Sequence, residues 1–323
     1  MAGNGSVIAG QNTDKLMPIE FGWEMPTGMR RMPAGVKNYE PHCHRMLERL
    51  SGQFASVWMP DHFMDGAHPV PESLTTISYF AAHYPEFHFG PVVLGQSYRN
   101  PALLAKMAAS IQHLTGGRFV LGLGAGWRAE EYAAYGYPFP PPAARIAQLA
   151  EVVQICKAMW DPAQPEASFE GQHYRIEKAS CFPKPVPPPP VMIGGAGEQL
   201  TLRVVARHAD WWNLVGVTPE IYTHKISVLE QHCAEVGRDP ASIRKTWMGV
   251  VSVAATRQKA EAAMARYPLW SGDTPLVGTP REIVAQLHRF ITLGVDLFIL
   301  AFADEPNTDG INTFITEVIP AFQ

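Results

Sequence analysis

Gly116-Gly117-Arg118-Phe119-Val120-Leu121-Gly122-Leu123-Gly124-Ala125-Gly126-Trp127 is the stretch that decides the fold. The Gly116-Gly117 pair stops a preceding helix. Residues 119–124 then form a short, almost continuously apolar run, the pattern of a parallel strand covered on both faces. Glycines crowd its far end, where missing Cβ atoms let backbone approach a flat ligand or adopt positive φ; Gly122 more simply relieves crowding in a core. The spacing is GxGxG and not GxGxxG, and no acidic strand end follows about twenty residues later, as a dinucleotide fold requires. A helical pattern and a proline tract occupy that region instead.

Seven further strand-like segments lie at 19–25, 56–59, 88–94, 191–193, 211–215, 247–254 and 297–301. Helical patterns separate them. In 145–160, Leu149, Val153, Cys156 and Trp160 fall on one stripe. Residues 101–114 open on proline and end at the glycine pair, and 280–293 end at Gly294. Strand–helix alternation repeated in this way predicts an α/β protein, a single (β/α)8 TIM barrel, with an open doubly wound sheet as the alternative. Residues 1–18 read as a polar, flexible tail and 19–323 as the barrel domain. Residues 161–190 carry eight prolines, so no helix survives there. This insertion after the fourth βα unit is expected to hold a hairpin at 168–174, turning at Glu170-Gly171. Such βα insertions usually roof an active site, and this one, with the loop 29–41, is expected to shape a substrate pocket.

The 323 residues are 46% hydrophobic and 17% charged, with a formal net charge of −4. That balance describes a large buried interior and gives no reason to expect nucleic acid or a membrane surface as partner. Cys43, Cys156, Cys181 and Cys233 are scattered without a CxxC pair, which favours a reducing compartment. The N-terminus lacks the basic start and apolar run of a secretory signal, and no apolar stretch reaches the ~18 residues that span a bilayer. A cytoplasmic enzyme acting on a small molecule is the expectation.

In a barrel the chemistry sits at the C-terminal strand ends. Those positions here carry Pro26-Thr27-Gly28, Pro60-Asp61-His62-Phe63, the run 95–100, Gly124-Ala125-Gly126-Trp127, Gly194-Gly195-Ala196-Gly197-Glu198 and Asn213. Gly194–Gly197, with a helical pattern at 198–208, makes either an anion site of exposed N–H groups and helix dipole or a tight βα turn. Thr201 can add a hydroxyl to such a site. His62 is the acid/base candidate and Asp61 the carboxylate beside it. Asp61, His62, Asp65 and His68 share one loop without a clear ligand set. His42-Cys43-His44 opens a helix where a barrel metal pair needs a strand end, so no metal is expected.

Several motifs together resemble the bacterial-luciferase-like flavin-dependent oxidoreductases. They are Trp58-Met59-Pro60-Asp61-His62-Phe63, the runs 98–105, 116–127 and 190–198, Glu130-Glu131-Tyr132, Val277-Gly278-Thr279-Pro280 and Gly294-Val295-Asp296. The resemblance extends from residue 19 to the C-terminus. It implies a TIM barrel with an insertion, commonly a homodimer, holding reduced FMN or the deazaflavin coenzyme F420 at the strand ends. Asp-His and the Gly-Gly-x-Gly-Glu loop are similar to the deazaflavin-dependent branch. By that likeness Asp61 contacts the coenzyme and His62 serves in proton transfer. Val92 and Val93 buttress the ring face through a bulge, often with a non-prolyl cis peptide. Ala125 and Gly126 approach the cofactor, and Gly195, Ala196, Gly197 and Glu198 take its phosphate, with Thr201 beside them. One departure stands out: the sugar-phosphate dehydrogenases of this branch carry a glutamate where Trp127 stands. An indole there suits a flat or apolar substrate. The resemblance therefore implies F420-dependent hydride transfer to or from a small organic molecule. The alternatives are an FMN-dependent monooxygenase fed by a separate reductase and a flavin-binding barrel without catalysis.

Overall fold

The computed structural model describes residues 18–27, 39–267 and 273–323. The tail up to residue 17, Gly28 and residues 29–38 of the expected pocket loop lie outside the described residues. In chain order the strands are β1 (Glu20–Glu24), β2 (Ser56–Met59), β3 (His88–Pro91), β4 (Leu94–Gly95), β5 (Leu121–Gly124), β6 (Glu166–Glu170), β7 (Arg175–Ser180), β8 (Val191–Gly194), β9 (Trp211–Val215), β10 (Arg244–Val253), β11 (Leu276–Gly278) and β12 (Val295–Phe302). The helices that matter below are α1 (Tyr39–Leu50), α2 (Ser73–His83), α3 (Pro101–Leu114), α4 (Ala129–Ala134), α5 (Pro142–Trp160), α6 (Thr201–His208), α7 (Pro219–Glu235), α8 (Arg257–Met264) and α9 (Pro280–Ile291).

Apart from the antiparallel pair β6–β7, the ladders are parallel and run β3-β2-β1-β12-β10-β9-β8-β5-β4, with β11 beside β10. A bridge from Phe89 to Phe119 returns β3 to the start of β5 and closes the ring. Counting β3 and β4 as one interrupted strand, this is the expected (β/α)8 barrel. The interruption falls at the Val92–Val93 peptide, which is cis; the sequence pattern alone predicted one unbroken strand over 88–94.

Two layers of apolar side chains hold the barrel. The larger lies between strands and helices; a second cluster gathers Trp58, Val120, Met192, Leu297 and Ile299 from alternate strand positions. Trp58 is fully buried and needs space on both neighbouring strands. A Cβ on Gly22 would sit 2.6 Å from its indole nitrogen, and one on Gly90 would sit 2.7 Å from its ring. The glycines of β1 and β3 are therefore the counterpart of one large side chain on β2.

Local signals set the helix ends. Asn100 caps α3 by accepting from the N–H groups of Ala102 and Leu103, with Pro101 in the first turn. Thr279 and Glu282 form a capping box on α9. The stripe Leu149, Val153, Cys156 and Trp160 is buried, as its spacing requires. Helix α5 starts three residues before the expected 145, because Pro142 takes the first turn.

The insertion differs from expectation in extent and place. Its hairpin is β6–β7, longer than 168–174, and its turn covers 171–174. The carboxylate of Glu151 on α5 accepts from the N–H groups of Gln172 (2.7 Å), His173 (3.0 Å) and Tyr174 (2.9 Å). That grip holds the hairpin tip on the helix. No residue of 161–190 lines the cavity at the strand ends, so the expected roof stands on the barrel's flank. Among the described residues no helix is long and apolar enough to cross a membrane.

Candidate active site

Strand β2 delivers the site. Met25 N–H donates to Trp58 O at 2.7 Å and Val92 N–H to Met59 O at 2.9 Å, so pairing continues to the strand's last residue. Pro60, Asp61 and His62 then leave at the C-terminal rim.

The Asp61 side chain is fully buried. Arg99 donates to both its oxygens at 2.8 Å, and Gly95 N–H donates at 3.0 Å. Arg99 also pairs with Glu72, whose carboxylate caps α2 through Thr75 N–H. Burial raises the Glu72 pKa, but the bonds from Thr75 and Arg99 outweigh it and leave the net shift downward. Asp61 also lines the smaller lobe of the cavity described below, beside Gly95 and Val93. With its oxygens committed inside the protein, the group anchors the loop that carries His62.

His62 is partly exposed, and its Nδ1 lies 3.2 and 3.1 Å from the two oxygens of Glu131 on α4. Glu131 itself is fully buried. It also accepts from Phe63 N–H (3.1 Å), Tyr98 hydroxyl (3.3 Å) and Arg128 Nη1 (3.3 Å). Burial pushes its pKa up, yet the bonds from His62 and the loop N–H groups bring it below the ordinary carboxylate value. Burial foremost, with Tyr132 and Glu131 nearby, raises the Tyr98 pKa. The Trp127 ring meets the imidazole at 5.7 Å and 89°, edge to face.

Glu131 had no role assigned from sequence. The signal was present in Glu130-Glu131-Tyr132 just past a strand end, but helix phase decides which carboxylate turns inward. Glu130 is exposed and pairs with Arg128, while Glu131 and Tyr132 are buried.

A cavity opens here in two lobes of about 300 and 250 Å³ that share Pro60, His62, Val92, Trp127, Arg128 and Val215. The larger has aliphatic and aromatic walls from Val70, Met248, Val250 and Tyr267, with Glu24, Asp65 and Asp273 also lining it. The smaller is walled by Val93, Leu94, Gly95, Gly124, Gly126, Gly194, Gly195 and Asn213. Gly126 has φ +77°, and a Cβ there would fall 1.9 Å from the Tyr132 hydroxyl. Gly195 has φ +141°. Asn213, noted from sequence only as a strand end, is buried; its Oδ1 accepts from Thr246 Oγ1 at 2.8 Å, and its Nδ2 has no hydrogen-bond partner among the described residues.

The remaining expected site residues sit just outside this wall. Ala125, Ala196, Gly197, Glu198 and Thr201 do not line either lobe. Thr201 lies beneath the glycine loop, its Oγ1 2.8 Å from where a Gly197 Cβ would be. The helix was expected to run from 198, but α6 starts at Thr201. Glu198 turns to α7, accepting from Lys225 Nζ at 2.6 Å and lying 3.0 Å from His224 Nε2. Those bonds, Lys225 first, lower its pKa. In this arrangement its carboxylate is spent on α7.

Residues 19–275 match the luciferase-like monooxygenase family. The chain is 33% identical over 150 residues to an F420-dependent glucose-6-phosphate dehydrogenase of Kineococcus radiotolerans, a match covering 45% of this chain and 44% of that protein. It is 30% identical over 186 residues to the enzyme of the same name from Amycolatopsis mediterranei, covering 56% and 55%. The chain thus spans about half the length of the curated relatives it matches. In three dimensions it is similar to an F420-dependent secondary alcohol dehydrogenase in complex with an F420–acetone adduct, with TM-score 0.80 and 20% identity over 95% of this chain and 100% of that one. That likeness shows a common fold.

Proposed function

The chain belongs to the luciferase-like monooxygenase family, and from that premise we propose that it uses coenzyme F420 to transfer a hydride to or from a small, uncharged organic substrate. One observation carries this reading: a glycine-walled lobe and an apolar lobe meet at the His62 imidazole. The residues present fit a flat ring. Gly95, Gly124, Gly126, Gly194 and Gly195 bring bare backbone to one lobe, and the Asn213 amide leaves in its wall a nitrogen without a partner among the described residues. The dehydrogenase name of the matched relatives points to the same coenzyme.

When bound there, the deazaflavin supplies two-electron hydride chemistry. The chain's own side chains do the rest. Val92 and Val93 support the ring, Ala125 and Gly126 pass close to it, and Gly195, Ala196 and Gly197 with Thr201 hold its phosphate. His62 holds or releases the accompanying proton at Nε2, which has no hydrogen bond among the described residues. Trp127, Met248 and Val250 would give the reacting carbon an apolar surrounding.

The apolar lobe supports a neutral alcohol or carbonyl compound over a sugar phosphate. Arg128 is the one cation among its described lining residues, and its guanidinium is engaged by Asp65, Glu130 and Glu131. All four cysteines are free and buried, in keeping with work in the cytoplasm; the family resemblance adds a homodimer.

Titration of the purified protein with F420 and with FMN, together with the mass and absorbance of any retained coenzyme, tests this function. F420 binding is expected, followed by F420-linked turnover of short alcohols or ketones and none of glucose 6-phosphate. A tight FMN complex without F420 binding would replace it with the flavin monooxygenase.

A further inference from the structure

We propose that Glu131 is the positioning residue of this site, holding the His62 Nδ1–H so that Nε2 is the proton acceptor presented to the cavity. This rests on His62 being the proton-transfer group, and it adds a residue and a tautomer to that function.

The carboxylate is completely buried and sits where donors converge from different elements. Phe63 N–H and Met64 N–H come from the loop after β2, the Tyr98 hydroxyl from the turn after β4, and Arg128 from the turn before α4. The His62 imidazole completes the set, within 3.2 Å of both oxygens. An ionised carboxylate has acceptors only. In a neutral imidazole one nitrogen donates and the other accepts, so a Nδ1 facing a carboxylate carries the hydrogen and Nε2 carries the lone pair. The net lowering of the Glu131 pKa agrees with the ionised form. The same carboxylate grips the backbone on the C-terminal side of His62, so ring orientation and loop position are set together. This is the logic of a histidine base oriented by a buried acid.

A purely structural staple would also bury Glu131, so the test must report on the ring nitrogens. Long-range 1H–15N spectra of the full-length protein labelled at histidine nitrogen, with His62 assigned by loss of its signals in His62→Ala, read the tautomer directly. The Nδ1–H form is expected in the unsubstituted protein, and an Nε2–H form there overturns the proposal. Glu131→Gln retains an acceptor for the loop N–H groups and offers Nδ1 an amide donor, so it should convert His62 to Nε2–H; an unchanged tautomer in a folded variant overturns the proposal too. Turnover in that variant should fall about 100-fold or more with coenzyme affinity within about twofold. Added to His62→Ala, the same change should cost less than about threefold, since the two residues act as a unit. Independent, multiplicative losses overturn the assignment. Should Glu131→Gln not fold, the spectrum of the unsubstituted protein still decides. The tautomer is read without coenzyme, so failure of F420 binding and failure of this proposal are separate results.

Discussion

Arg99 holds both carboxylate oxygens of Asp61 at 2.8 Å, within a pair whose acid is fully buried and whose guanidinium is nearly so. Residues 38 apart in sequence are thereby locked into one unit at the root of the His62 loop. Arg99 carries the lock on to Glu72 and the first turn of α2. Asp61 thus anchors the loop that carries His62 while lining the glycine-walled lobe itself.

Breaking this pair from one side leaves an uncompensated buried charge. Arg99→Met should lower unfolding stability by about 3–5 kcal/mol, read from urea denaturation at neutral pH. A loss below about 1 kcal/mol would place the pair with exposed ion pairs of little worth.

Two carboxylates give the molecule an acid-sensitive contribution of known sign. Glu72 and Glu131 have folded pKa values below their ordinary value of 4.5. A depressed carboxylate contributes stability that is full above its unfolded pKa and is lost as pH falls through its folded one. The stability difference between the unsubstituted protein and Glu131→Gln should therefore be largest near neutral pH and shrink below about pH 4.5. A difference constant from pH 7 to pH 3.5 would contradict the ionised state.

His62→Ala should reduce turnover by about 10²- to 10⁴-fold while leaving coenzyme affinity nearly intact. Steady-state kinetics beside a binding titration separates the two effects. An enzyme that turns over normally without the imidazole takes its proton from elsewhere.

Gly126→Ala meets two obstacles, a φ of +77° and a Cβ placed 1.9 Å from the Tyr132 hydroxyl. The backbone part alone costs about 1–3 kcal/mol. The hydroxyl oxygen makes the severest clash, with the ring carbon Cζ 2.9 Å away behind it, so Tyr132→Phe in the same chain should restore part of the lost melting temperature. No recovery would mean that the backbone conformation and the ring, rather than the hydroxyl, demand glycine.

Trp127→Ala removes an indole shared by both lobes and lying against His62. For an apolar alcohol or ketone, KM should rise roughly tenfold, about 1.4 kcal/mol, with the F420 dissociation constant little changed. A larger effect on F420 than on substrate would move Trp127 from the substrate wall to the coenzyme wall.

Much of this was legible in the sequence wherever the deciding interaction is local. The apolar run 119–124, of which 121–124 is strand, the Pro101 helix start, the glycine stops and the buried stripe on α5 depend on neighbours within a few residues, and each appears in the structure. His62, Gly126, Trp127 and Gly195 were marked by their places at strand ends and Val92 and Val93 by the family resemblance, and all six line one cavity. That follows from barrel geometry, which sends successive strand ends to one face.

What the sequence by itself determined is thus the alternation of elements, their caps, and the strand-end address of the glycines and His62, because short-range sterics and hydrogen bonds are written in adjacent residues. The tertiary structure alone decided which partners those residues meet. It set Glu131 against a histidine 69 positions away, spent Asp61 on Arg99, turned Glu198 to Lys225, and laid the proline-rich hairpin on α5 through Glu151. Each outcome depends on the phase of a helix or the direction of a side chain across the barrel rim. Those quantities exist only once the strands have closed.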